Sequence, residues 1–191
     1  MFQIRIHGRG GQGVVTAAEL LSVAAFREGK NAQAFPSFGS ERMGAPVVAF
    51  CRIDDHEIRS REPVMQPDAV IIQDPTLLHT VDVFGGLNPN GYVLINTEKD
   101  IEALDIGPNV ASLPAGRVRT VGATEIALAR IGRPIPNAAL LGAFAAQTGE
   151  IGLEAVKAAI EERFPGSMGE KNIAAAEAAF EAVHGVSMAA V

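Results

Sequence analysis

The chain has 191 residues, 48% of them hydrophobic, enough for one domain with a sizeable core and too apolar for a disordered chain. Its formal net charge is −6 and no Lys/Arg cluster interleaves with aromatic residues, which argues against nucleic acid as a partner. The single cysteine, Cys51, excludes an internal disulfide and is too few for an iron–sulfur cluster held by this chain alone.

The first predicted strand covers residues 2–7 and runs into His7-Gly8-Arg9-Gly10-Gly11-Gln12-Gly13. An apolar-periodic helix over 13–27 follows, ended by Gly29. Strand, glycine turn and helix together aim backbone N–H groups and a helix's positive end at a phosphate. Glycine suits such a turn because positive φ is required and a Cβ would block the ligand's approach. Gly8, Gly10 and Gly13 carry the G-x-G-x-x-G spacing. Arg9 reads as a phosphate contact in preference to a solvated charge, and Gln12 as a cap on backbone N–H groups. His7 reads as a satisfied strand-end histidine, not a catalytic base.

A second strand over 32–35 stops at Pro36, and a loop over 37–46 follows. That loop leaves the carboxyl end of its strand beside the first turn, the edge where α/β sheets bind ligands. Gly39 and Gly44 supply bends, and Ser37, Ser40, Glu41 and Arg42 supply polar contacts. Arg42 suits paired N–H donation to a phosphate or carboxylate. A tight connection, with Glu41 and Arg42 bonded locally, is the alternative; two polar glycine loops at one edge favour the ligand site.

Residues 47–53 read as a strand, with Cys51 a buried structural thiol and Asp54-Asp55 a turn into a hairpin partner through Ile58. Continuous apolar runs over 69–74 and 91–96 read as central parallel strands, and 110–114 as a weaker one. The segment 138–147 is apolar nearly all round, implying a helix buried in the core or against a partner. Leu153, Val156 and Ile160, with Phe164 beyond, stripe a helix stopped by Pro165-Gly166, and a last helix spans 170–183. No repeat or linker divides residues 1–191, which read as one α/β domain. The expected fold is a three-layer, Rossmann-like sandwich with a mostly parallel, mixed central sheet and C-terminal helices. No charged-then-apolar leader opens the chain, and its longest apolar run, 138–146, is too short to span a bilayer. A cytoplasmic location without a membrane partner is expected.

A nicotinamide site needs an acid at the end of the second strand, but Ala34, Phe35, Pro36 and Ser37 stand there. A mononucleotide P-loop needs a Gly-Lys-Ser/Thr that the turn lacks. His56, His79 and His184 are scattered without metal-ligand spacing. Asp54-Asp55 and Glu161-Glu162 look like a turn and a solvated helix face, and no Ser-His-Asp or Cys-His arrangement is present. The residues describe a binding domain with no catalytic apparatus and no metal site.

The glycine turn 7–13, the segment 34–47, Asp74-Pro75-Thr76-Leu77-Leu78 and the segment 137–142 together resemble the gamma subunit of pyruvate:ferredoxin oxidoreductase and its 2-oxoacid relatives. The likeness runs from Met1 to about Val183; one departure is Met43-Gly44-Ala45, where many relatives carry Arg or Ser before Gly. The resemblance implies a multisubunit enzyme that oxidatively decarboxylates a 2-oxo acid with coenzyme A, giving acyl-CoA, carbon dioxide and two electrons. It places thiamine diphosphate, magnesium and iron–sulfur clusters on alpha, beta and ferredoxin-like delta-type subunits, with ferredoxin or another acceptor downstream. This chain would be non-catalytic and hold no cofactor alone. Coenzyme A is its candidate ligand, at Gly8, Arg9, Gly10, Gly11, Gln12, Gly13, Ser37, Phe38, Gly39, Glu41 and Arg42. Service of an aryl-substituted 2-oxo acid, and a stand-alone NAD(P)-binding dehydrogenase domain, are the alternatives.

Overall fold

The computed structural model of the chain describes residues 1–37 and 43–189, with side chains described as far as residue 185. Strand β1 (Phe2–Arg9) leads through the glycine turn into α1 (Val14–Arg27), and β2 (Asn31–Pro36) and β3 (Pro46–Asp54) follow. Then come β4 (Ala69–Ile72), β5 (Tyr92–Asn96), the single turn α2 (Gly107–Val110) and β6 (Val118–Val121). Helices α3 (Ala123–Ile131), α4 (Asn137–Thr148), α5 (Leu153–Arg163) and α6 (Ser167–Ala189) complete the chain.

The six strands form one sheet in the order β2-β3-β1-β4-β5-β6. Pairings β1·β4, β4·β5 and β5·β6 are parallel, whereas β3 runs antiparallel to both β1 and β2. The mixed α/β sheet is therefore as expected, but its antiparallel element is not the hairpin through Ile58. After Asp54 the chain turns, the His56 N–H donating to Asp54 Oδ1 at 2.9 Å, and no strand follows. Alternation in residues 47–53 reports an antiparallel neighbour without naming it, and the neighbours are β1 and β2. The strand expected at 110–114 is also displaced. Val110 closes α2 and buries in the core, while the last strand is β6.

Strand alternation gives the sheet two different faces. Ile4, Ile6, Cys51, Ile71 and Leu94 point into a core shared with α1, α3, α4, α5 and α6. Val70, Ile72, Val93 and Ile95 point the other way, against Leu77, Leu78, Leu104 and Ile106. That second layer is made of 3-10 turns (Pro75–His79 and Ile101–Leu104), α2 and long connections. Buried arginines help to hold it on. Arg5 donates to the carbonyls of Val83 at 3.0 Å and Gly85 at 2.7 Å, and Arg52 to the Glu62 carbonyl at 2.6 Å. Each supplies donors where irregular backbone needs them.

Helix α4 is buried from Asn137 to Ala145 by the chain's own core. Its closest approach is to α6, where a Cβ on Gly142 would overlap the Ala176 carbonyl. Glycine at that point lets two helices pack backbone to backbone. From β1 the chain crosses to β2 on one side, while β4 lies on the other. The topological switch point thus falls between the carboxyl ends of β1 and β4.

Candidate functional site

The glycine turn sits at that switch point. Gly11 and Gly13 hold φ of 91° and 74°, the left-handed region closed to most side chains. Gly13 is also the N-cap of α1, with no side-chain cap, so no capping side chain competes for the helix's first N–H groups. Beside them lies a cleft of about 230 Å³ lined by Arg9, Gly10, Gly11, Gly13, Val14, Val15, Met43 and Val47.

The second loop is tied to the first by backbone. Gly10 N–H donates to the Ala45 carbonyl at 2.9 Å and Gly44 N–H donates to the Gly10 carbonyl at 3.0 Å. Gly10 and Met43 thereby form a parallel bridge, and Met43 lies over Gly11 while 88% exposed. At the loop's other end Ser37 is exposed and its N–H donates to the Val48 carbonyl at 2.8 Å. Phe38, Gly39, Ser40, Glu41 and Arg42 lie outside the described residues. The two bends expected to neighbour one another do so at Gly10 and Gly44.

The side chains beneath the turn form one polar network. Arg9 donates to Thr76 Oγ1 at 2.7 Å and to the Gly44 carbonyl at 3.0 Å, and pairs with Asp74 Oδ2 at 3.2 Å. The Arg9 guanidinium, which also lines the cleft, joins the glycine turn, the second loop and the end of β4. Gln12 accepts from the Arg9 N–H at 2.7 Å and donates to Asp74 Oδ2 at 2.8 Å, so it caps the turn and not the helix. Burial pushes the Asp74 carboxyl up, yet hydrogen bonds from Thr76 and Gln12 and the Arg9 charge outweigh it. Its pKa falls below the ordinary value.

His7 is the satisfied strand-end histidine expected, 3% exposed, its Nε2 accepting from Arg5 Nε–H at 3.0 Å. Burial, then the Arg5 charge, push its pKa down to about 3, so it stays neutral at pH 7. Gln73 is a hub that sequence reading passed over. Its N–H donates to the His7 carbonyl at 2.7 Å, and its side-chain amide to Gln12 O at 2.6 Å and Asn137 Oδ1 at 2.5 Å. Asn137 in turn lies where a Cβ on Gly13 would strike its Nδ2. The available signal was a polar residue closing an apolar strand at the switch point. Asn96 does the same one strand over, donating to the Gln73 carbonyl at 2.9 Å and accepting from the Thr124 N–H at 3.1 Å.

Residues 3–182 match the protein family described as pyruvate ferredoxin/flavodoxin oxidoreductase. The chain belongs to that family. Within it this is a gamma-type chain. It is 56% identical over 149 residues to pyruvate synthase subunit PorC of Methanosarcina barkeri, covering 78% of this chain and 79% of the relative. It is 54% identical over the same length to the pyruvate/ketoisovalerate oxidoreductases common subunit gamma of Thermococcus kodakarensis, covering 78% and 79%. The crystal structure of pyruvate oxidoreductase subunit PORC from Thermotoga maritima superposes with a TM-score of 0.79 at 40% identity, covering 94% of this chain and 95% of that one. Among the described residues of the gamma-type chain, no group of three or more His, Cys, Asp or Glu could hold a metal ion. No described helix is long and apolar enough to cross a membrane.

Proposed function

We propose that this gamma-type chain is a non-catalytic subunit of a pyruvate-type 2-oxoacid oxidoreductase and that its glycine cleft positions a phosphate of coenzyme A. The observation that carries this reading is the α1 N-terminus, left without a side-chain cap behind Gly11 and Gly13 and braced by the second loop through Gly10. Such a terminus offers N–H donors and a partial positive charge to an anion. A cleft of about 230 Å³ suits a phosphate or diphosphate, with the rest of the molecule lying outside it. Gly10, Gly11 and Gly13 would hold the phosphate through backbone; Arg9 and Gln12 would keep the turn in shape. Thiamine diphosphate, magnesium and iron–sulfur clusters are assigned to alpha, beta and ferredoxin-like delta-type partners, with ferredoxin or another carrier as acceptor. The location is cytoplasmic in this reading.

Calorimetric titration of the purified chain with coenzyme A and with NAD(P), beside activity assays on the assembled enzyme, tests the reading. The expected results are no turnover by the chain alone, no tight nicotinamide binding, and coenzyme A-dependent oxidation of a 2-oxo acid on assembly. Tight nicotinamide binding by the lone chain overturns it.

A further inference from the structure

At the sheet's amino edge, opposite the glycine cleft, a second cavity of about 220 Å³ opens between the start of β5, the approach to β6 and the end of α4. Arg117 and Arg119 line it together with Tyr92 and Gln147. The Arg117 guanidinium is stacked over the Tyr92 ring, 4.0 Å from its centroid, and so is held in place. Both arginines are half-buried, yet among the described residues neither side chain donates a hydrogen bond or has a carboxylate within ion-pair distance. Gln147 spends its amide N–H groups on the carbonyls of Val93 at 3.1 Å and Arg117 at 2.8 Å, which fixes its orientation. Its buried Oε1 has no donor.

Two half-buried guanidinium groups lining one cavity, with no carboxylate partner among the described residues, suit an anion there. We infer that this cavity receives an acidic side chain, Asp or Glu, from a neighbouring subunit, its carboxylate gripped by Arg117 and Arg119. Charge complementarity with the two arginines carries the choice of an acidic residue. The volume admits a carboxylate side chain. Asp100 and Glu102 line an adjoining cleft that Arg119 also borders, and they disfavour a long acidic run. A single acidic residue fits best. That the neighbour is a subunit of the same enzyme rests on the function proposed above.

The test uses the full set of subunits, comparing the wild-type chain with Arg119→Gln and the Arg117→Gln/Arg119→Gln double variant. Binding of this chain to its partners is measured against salt, and folding by thermal melting. Among the described residues Arg119 makes no hydrogen bond through its side chain, so Arg119→Gln keeps the wild-type melt; Arg117→Gln also removes the stack on Tyr92. Loss of the ion pair weakens subunit binding by roughly tenfold or more and flattens its salt dependence. If the wild-type chain assembles and both variants assemble equally well, the inference is wrong and the subunit reading stands. Failure of the wild-type chain to assemble overturns both. In a separate arm, N-acetylglutamate competes with assembly of the wild-type chain alone; binding of free glutamate with no effect on assembly marks a small-anion site and overturns the inference.

Discussion

Gly44 donates its backbone N–H to the carbonyl of Gly10 at 3.0 Å, across thirty-four positions of sequence. That bond, with its companion from Gly10 to Ala45, makes the glycine turn and the second loop a single edge structure. Backbone has to meet backbone there, which explains why glycine recurs on both sides of the contact.

Gly13→Ala tests how tightly that edge is specified. A left-handed φ costs a non-glycine residue about 1–2 kcal/mol, and the new methyl would also displace Asn137 from Gly13. Thermal melting should show a fall of roughly 2–8 °C for a chain of this size. An unchanged melt would mean the turn adopts another conformation.

Gly142→Ala probes the core. Its Cβ would overlap the Ala176 carbonyl, and neither helix can yield without moving the other. A loss of about 3 kcal/mol or more is expected, read as a lowered denaturation midpoint with an unchanged slope.

His7 predicts a pH dependence. Its folded pKa is depressed to about 3, so below the unfolded value of 6.5 the unfolded chain takes up a proton that the folded chain refuses. Stability present above pH 6.5 is therefore lost as pH falls toward 3, by about 1.4 kcal/mol per unit. Urea unfolding at pH 7.5 and 5 should differ by roughly 2 kcal/mol from this residue. His7→Gln, which keeps an acceptor for Arg5, should remove that part of the slope. Equal slopes in the two proteins would place the titration elsewhere. Asp54 and Asp74, both lowered, act only in stronger acid.

Cys51 is fully enclosed, and burial raises its thiol pKa to about 12. Thiol reagents should label it only as fast as the chain unfolds, and completely in denaturant. Rapid labelling of the folded chain would contradict its position in β3.

Much of the fold was legible because its strands advertise themselves. Residues 69–72 and 93–95 are apolar on both faces and so lie inside a parallel sheet. What escaped was identity of partner and short, irregular structure. Residues 47–53 alternate whichever strand they pair with, which is how a hairpin to Ile58 came to be expected. Val110 at the end of α2 and Leu113 in the bend after it are apolar because they cover the second face, and they mimic a strand. Helix α3 went unread although Glu125 in its first turn, Arg130 in its last and Gly132 at its left-handed cap mark both ends. At the site, the glycine spacing located the turn. The engagement of Arg9 with Asp74 and Thr76 was invisible, because residues sixty-five or more positions apart meet only once β1 and β4 pair.

The most direct test of a phosphate cradle on a subunit that does no chemistry alone is the KM for coenzyme A of the assembled enzyme carrying Gly10→Asp. A carboxylate at the mouth of the α1 N-terminus repels the phosphate it should receive, so KM should rise roughly tenfold or more while the isolated chain stays inactive. An assembled variant enzyme with an unchanged KM for coenzyme A would contradict the account.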